Sequence, residues 1–102
     1  MAEKGMKEIT ANLYDAGSEF VVVTRLPTVS KEKIVLNATM FGLEICVEGE
    51  KNVFEFCRFI TFPEVVEPEK IVATKSEEGV LEVRVPKKTP LKAVKMYRVY
   101  VT

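Results

Sequence analysis

The chain reads as an all-β protein, an antiparallel two-sheet immunoglobulin-like β-sandwich, and three observations point there. Apolar and polar residues alternate with period two in Leu43-Glu-Ile-Cys-Val-Glu48 and in Leu81-Glu-Val-Arg-Val85, the pattern of a strand with one face in a core and the other in water. Glycines and prolines such as Pro27, Gly42, Pro63 and Gly79 punctuate the chain between these short segments. No stretch sustains a long helical periodicity, so about seven short strands remain as the building material.

Ile9, Ala11 and Leu13 alternate loosely within 7–15, and Ala16-Gly-Ser18 turns that strand into Glu19-Phe-Val-Val-Val-Thr-Arg-Leu26. Four consecutive apolar residues, three of them β-branched, suit a central strand covered on both faces or nearly so. Pro27 ends it, and Ser30 can cap a single helical turn in the polar run that follows. The next strand, 34–40, turns Ile34, Leu36, Ala38 and Met40 one way and Val35, Asn37 and Thr39 the other.

Phe41-Gly42 leads into the half-buried strand 43–48, with Leu43, Ile45 and Val47 on one face and Glu44, Cys46 and Glu48 on the other. After a short loop the chain returns as 53–62, where Phe54, Phe56, Ile60 and Phe62 fall in phase. Each phenylalanine, fully buried, contributes about 1.5–3 kcal/mol, so this strand is expected to anchor the core. Arg58 shares the phase and needs an edge, an aromatic face or an acidic partner, because an unpaired buried charge is costly. Pro63 stops the strand, an acidic connection runs over 64–70, and a hairpin follows from Ile71, turning at Gly79 and stopping at Pro86.

A chain of 102 residues with 47% hydrophobic residues closes a single core. It divides into a short N-terminal segment 1–6, the sandwich 7–88 and a C-terminal tail 89–102. No apolar run reaches the ~20 residues of a membrane span, and the first residues lack the apolar core of a secretion signal, so a cytoplasmic location is expected. Zero formal net charge gives no reason to expect nucleic acid or a membrane as partner. The charge is uneven, however. From Val83 onward the chain carries Arg84, Lys87, Lys88, Lys92, Lys95 and Arg98 with no acid, a basic tail either solvated or drawn to an acidic surface of its own or a neighbouring chain.

Chemistry-bearing constellations are scarce. The sequence has no histidine, no phosphate-cradling glycine loop and no serine in a nucleophile-elbow setting, so no enzyme, no catalytic residue and no cofactor is expected. Cys46 and Cys57 cannot complete a standard zinc site without histidine, and no metal is expected; two reduced thiols are the simpler reading. If Glu50 pairs with Val53 across the loop, Cys46 falls opposite Cys57 on the outward face. A cross-strand disulfide could then close under oxidising conditions, although the same register opposes Glu48 and Glu55.

Taken in order, Glu19-Phe-Val-Val-Val-Thr-Arg-Leu-Pro27, Val29-Ser-Lys-Glu-Lys-Ile34, Leu43-Glu-Ile45, Phe59-Ile-Thr-Phe-Pro63 and Gly79-Val-Leu-Glu-Val-Arg-Val-Pro-Lys87 resemble the α-crystallin domain of small heat-shock proteins. The related CS-domain fold of co-chaperones is a second resemblance. The first implies ATP-independent holdase binding of partly unfolded client proteins; the second implies an adaptor docking one folded chaperone partner. The family resemblance also implies a groove between the strands 34–40 and 71–75 that receives a short apolar tail motif. Its lining candidates here are Ile34, Leu36, Ala38, Ile71 and Ala73, and Val99 and Val101 are the docking pair, joining copies into a homo-dimer or oligomer; a last strand of the same domain is the alternative for 91–102. Thr28 stands where the family usually has glycine, and Ala73 lies one residue further from Gly79 than its counterpart. The loop between Glu48 and Val53 is too short for the strand exchange of bacterial, plant and archaeal members, and the segment before the first strand is shorter than the family's usual arm.

Overall fold

The computed structural model describes residues 9–88 and 98–102; the N-terminal segment 1–6 and residues 89–97 of the tail lie outside the described residues. Seven strands follow one another: β1 (Ala11–Asp15), β2 (Glu19–Arg25), β3 (Ile34–Thr39), β4 (Gly42–Glu48), β5 (Phe54–Thr61), β6 (Val72–Lys75) and β7 (Val80–Pro86). They form a four-stranded sheet in the order β1-β2-β7-β6 and a three-stranded sheet in the order β3-β4-β5. All pairings are antiparallel. The inward stripes of β2 (Phe20, Val22), β4 (Leu43, Ile45, Val47) and β7 (Leu81, Val83, Val85) meet between the sheets as the core, as period-two alternation requires. β2 is central, but only its inward face is buried; Val21 and Val23 on the other face are half-buried.

Edges decide what the sandwich exposes. On one side β1 lies over β5, and the chain leading into β1 closes the gap: Ile9 is buried, and Arg58 on β5 donates from Nη1 to the Ile9 carbonyl at 2.9 Å. Arg58 thus finds a backbone acceptor rather than an acid. The Thr24 hydroxyl, also buried, donates to the Thr10 carbonyl at 2.5 Å and holds the same segment from the facing sheet.

β5 departs from expectation. A bulge between Val47 and Glu48 pairs Val47 with Phe56 but Glu48 with Phe54. The extra residue turns Phe54 outward, where it is 47% exposed, while Phe62 remains buried and Phe56 and Ile60 only pack partly against the core. The core is therefore anchored by β2, β4 and β7 rather than by β5. The same bulge removes the opposition of Glu48 and Glu55, and Cys46 faces Cys57 in register. The two cysteines are joined as a disulfide with Cα atoms 4.0 Å apart, which overturns the reading of two reduced thiols. Cys46 is buried beneath its neighbours, whereas Cys57 is exposed. Closing a loop across 11 residues stabilises by about 3 kcal/mol on the chain-entropy account. At the start of β3, Ser30 precedes a single 3-10 turn, Lys31–Lys33, without a side-chain cap; its backbone carbonyl accepts from the Lys33 N–H at 3.0 Å instead.

The end of β7 is clamped by a buried cation. Lys87, counted with the basic tail on sequence grounds, is 2% exposed. Its Nζ donates to Asp15 Oδ1 at 2.8 Å and Glu64 Oε2 at 3.2 Å, and sits 4.7 Å from the centroid of the Phe20 ring, which stacks on Phe62. The head group thus replaces its water shell with two carboxylates and a ring face. Arg84 likewise belongs to the body, paired with Glu19 and Glu82 at 2.6 and 2.8 Å. Lys87 is buried because acids reach it from distant elements, whereas Arg84 stays exposed and bridges Glu19 on β2 and Glu82 on its own strand.

Gly79 turns the β6–β7 hairpin with φ of +87°, and a Cβ there would collide with the Pro27 backbone; its carbonyl accepts from the Leu26 N–H at 2.7 Å. Gly79→Ala therefore combines a disfavoured conformation with a clash, and should cost about 2 kcal/mol or more, read as a lowered midpoint in denaturant unfolding.

A second expectation concerns pH. The hydrogen bond from Lys87, helped by the Gly17 N–H, lowers the Asp15 pKa, and the bond to Asp15 raises that of Lys87. The aspartate's stabilisation is complete above the unfolded carboxylate value of ~3.9 and is lost as pH falls through the depressed native value. The lysine's is complete below ~10.4 and is lost as pH rises through the raised native value. Thermal unfolding of the native chain and of Lys87→Met should differ most between these limits and converge outside them; a constant gap from neutral pH down to strong acid would count against the clamp.

Candidate functional site

The side of the sandwich opposite the Arg58–Ile9 closure is open. There, among the described residues, β3 pairs only with β4 and β6 only with β7, so each presents a row of backbone groups to which no described strand pairs. Ile34 and Leu36 pair with the core residues Val47 and Ile45, and so face inward from the three-stranded sheet. Ala73 and Lys75 pair with Val83 and Leu81, and so face inward from the four-stranded one. Between them runs a groove of about 380 Å³ whose walls and floor include Ile34, Leu36, Ala73 and Leu81, with Lys31, Glu32, Thr74 and Lys75 completing it.

Three of the five lining candidates named from the sequence, Ile34, Leu36 and Ala73, therefore meet here. Ala38 does not line the groove: it is exposed toward the Thr39 end of β3, paired with Leu43. Ile71 does not line it either. A 3-10 turn at Pro68–Lys70 precedes it, it lies just before the four-residue β6, and its side chain packs on the core. Leu81 was missed because alternation marks it as core, which it also is; Lys75 was legible as the residue two beyond Ala73 on one strand face. The lining carries Lys31 and Lys75 against Glu32, so its local charge is not the acidic surface that a basic tail would seek.

In the tail, Val99, Tyr100 and Val101 are 83%, 76% and 97% exposed, and residues 98–102 form no strand. Val99 and Val101 are thus not seated in the groove of their own chain. A second depression of about 370 Å³ lies beside the β4–β5 turn, where Lys33, Glu48 and Glu55 accompany Val29, Val47 and Phe56. Its charged lining suits water better than an apolar segment.

The fold is an immunoglobulin-like β-sandwich with one side closed and the other grooved. The sequence matches the model of the Hsp20/alpha crystallin family over residues 12–102, and the chain belongs to that family. Its members are ATP-independent chaperones, so this protein is a small heat-shock chaperone and not an enzyme. Among solved structures it is similar to heat shock protein 16.0 from Schizosaccharomyces pombe, with a TM-score of 0.70 and 22% identity over 92% of this chain and 97% of that one. It is similar too to a small heat-shock protein from Xylella fastidiosa, with a TM-score of 0.68 and 21% identity over 93% and 96%. A mutant of hsp14.1 from Sulfolobus solfatataricus gives a TM-score of 0.65 and 28% identity over 80% and 77%. No curated protein matches the sequence. No helix among the described residues is long and apolar enough to cross a membrane.

Proposed function

We propose that this protein is a holdase that binds partly unfolded chains without nucleotide, and that its subunits are linked by the C-terminal tail of one copy entering the groove of another. The observation that carries the reading is the pair of strand edges, β3 and β6, unpaired among the described residues and flanking an apolar groove. An extended segment laid there gains backbone hydrogen bonds from an edge, and residues two apart point into the same pockets. Val99 and Val101 have that spacing and are exposed. About thirteen residues separate Pro86 from Val99, an extended reach of roughly 40 Å, enough for a neighbouring subunit. Oligomer formation accords with the Xylella fastidiosa relative, whose structure is described as a distinct high order structure.

Client contact falls to apolar side chains left outside the core. Leu13 and Tyr14 on β1, Phe54 and Phe59 on β5, and Met40 and Phe41 in the β3–β4 turn are each more than a third exposed. Non-native chains present the same chemistry, unsatisfied backbone and exposed apolar side chains, and meet it here without a nucleotide cycle. In the cytoplasmic setting we assign to the protein, such clients arise whenever folded proteins lose their packing.

Three measurements test this. A peptide of residues 97–102, added to a chain ending before residue 91, should bind the groove. Val99→Ser with Val101→Ser should weaken it by roughly thirtyfold, about 2 kcal/mol. Leu36→Lys in the groove should abolish binding, while Ala38→Lys should leave it nearly unchanged; equal effects at both positions would move the docking site elsewhere. Separately, the full chain at stoichiometric excess should suppress light scattering by an unrelated heated protein, and no suppression would sink the holdase. The mass in solution should fall to that of a smaller species on Val99→Ser with Val101→Ser, and a strict monomer before substitution would remove the tail exchange.

A further inference from the structure

The outward face of the three-stranded sheet gathers a different chemistry, away from the groove. Glu44 and Cys46 are two residues apart on β4 and so point the same way, and Cys57 stands opposite Cys46 on β5. One ligand atom from each, a carboxylate oxygen and the two sulfurs, all lie within 4.8 Å of one another. We propose that the reduced chain holds a thiophilic divalent cation of the zinc class between Glu44, Cys46 and Cys57, and that formation of the Cys46–Cys57 disulfide expels it.

Two donors at i and i+2 of one strand, with a third from its antiparallel neighbour, converge on one point above the sheet and leave the solvent side open. That is the three-ligand arrangement of an open tetrahedral zinc site. Zinc–sulfur bonds of ~2.3 Å and a zinc–oxygen bond of ~2.0 Å place tetrahedral donors ~3.5–3.8 Å apart; the sulfurs, joined to each other in this structure, reach that separation by side-chain rotation once reduced, with a Glu44 carboxylate oxygen already within 4.8 Å of both. Two thiolates select a soft or borderline cation over magnesium or calcium, and the carboxylate adds a third negative charge. Buried Cys46 closes the inner side, while exposed Cys57 gives the ion its way in. Counting two cysteines without histidine excludes a closed four-ligand site; it leaves this open one, which needs the register to be seen.

The metal and the disulfide compete for the same sulfur electrons. With a low-molecular-weight disulfide as oxidant, the two cysteine thiolates give up two electrons and form the Cys46–Cys57 bond. The oxidant's sulfur–sulfur bond breaks to give two thiolates, which take up two protons from solvent, and the cation leaves with its charge unchanged. In a reducing compartment the thiolate pair, and hence the metal form, is favoured.

The test uses the full chain, reduced with a phosphine under anaerobic conditions, and Co²⁺ as the optical probe for zinc. The expected result is one equivalent of Co²⁺ bound with thiolate-to-cobalt charge-transfer absorption, displaced by Zn²⁺, together with a rise in the thermal transition on metal addition. Glu44→Gln, a change on the solvent face, should keep the charge-transfer band and weaken affinity by about tenfold or more. Oxidised glutathione should abolish the band and release the ion. The proposal fails if the reduced chain shows no such band, if Glu44→Gln binds as tightly as the native chain, or if the ion stays bound after oxidation. It fails equally if the reduced chain has no cooperative thermal transition either with or without the metal.

Discussion

The hydrogen bond from Arg58 to the Ile9 carbonyl sets the asymmetry on which the rest of the sandwich depends. Two stacked sheets have two long sides, and an edge left open on both would expose four strand backbones and drain the core of its cover. At the β1–β5 side the chain spends Ile9 as an apolar plug, with Arg58 from one sheet and Thr24 from the other fixing its backbone. The opposite side then can stay open, because β3 reaches the core through Ile34 and Leu36 and Leu81 of β7 lies buried behind β6, without a plug being needed there. The groove is in this sense the unsealed half of the same architecture.

The strands were legible where alternation was clean, and illegible where a local feature reset its phase. Leu43, Ile45 and Val47, like Leu81, Val83 and Val85, lie inward as period two demands. Phe54 has the same period but lies outward, since one extra residue at the bulge exchanges the two faces, and no residue type in 53–57 announces that insertion. Lys87 shows a different limit. In chain order it neighbours Lys88 and looks solvated, yet Asp15 and Glu64 approach it from distant elements, so its burial belongs to the tertiary fold. The site was half legible for a similar reason: strand identity brought Ile34, Leu36 and Ala73 together, whereas the length of β6, which leaves Ala38 and Ile71 out, depends on where the Pro68–Lys70 turn releases the chain.

The same pairing that legibly opposed Cys46 and Cys57 also shows why the disulfide adds to the three-stranded sheet. β5 is an edge strand whose inward residues are only partly buried, so its hold on β4 rests on ladder hydrogen bonds more than on core contacts. A covalent link to the fully packed β4 compensates for that weaker packing by restricting the unfolded chain. Arg58, next to Cys57 on β5, depends on the same attachment to keep its guanidinium at the Ile9 carbonyl.

Strand alternation separates the groove from the Cys46–Cys57 pair. On β3, Ile34 and Leu36 face the groove while Val35 between them faces out and pairs with Cys46. Neighbouring residues thus belong to different surfaces, divided by the thickness of one sheet. Chemistry at the sulfurs is absorbed by side-chain rotation on the outer face, since the β4 backbone is fixed by Leu43, Ile45 and Val47 packed against the facing sheet. The groove, which is shaped by the inward residues of the same strands, keeps its geometry through such a change. Occupancy of the groove, as proposed, and a change at the sulfurs would then be independent in thermodynamic terms, coupled only if oxidation alters how firmly β5 is held to β4.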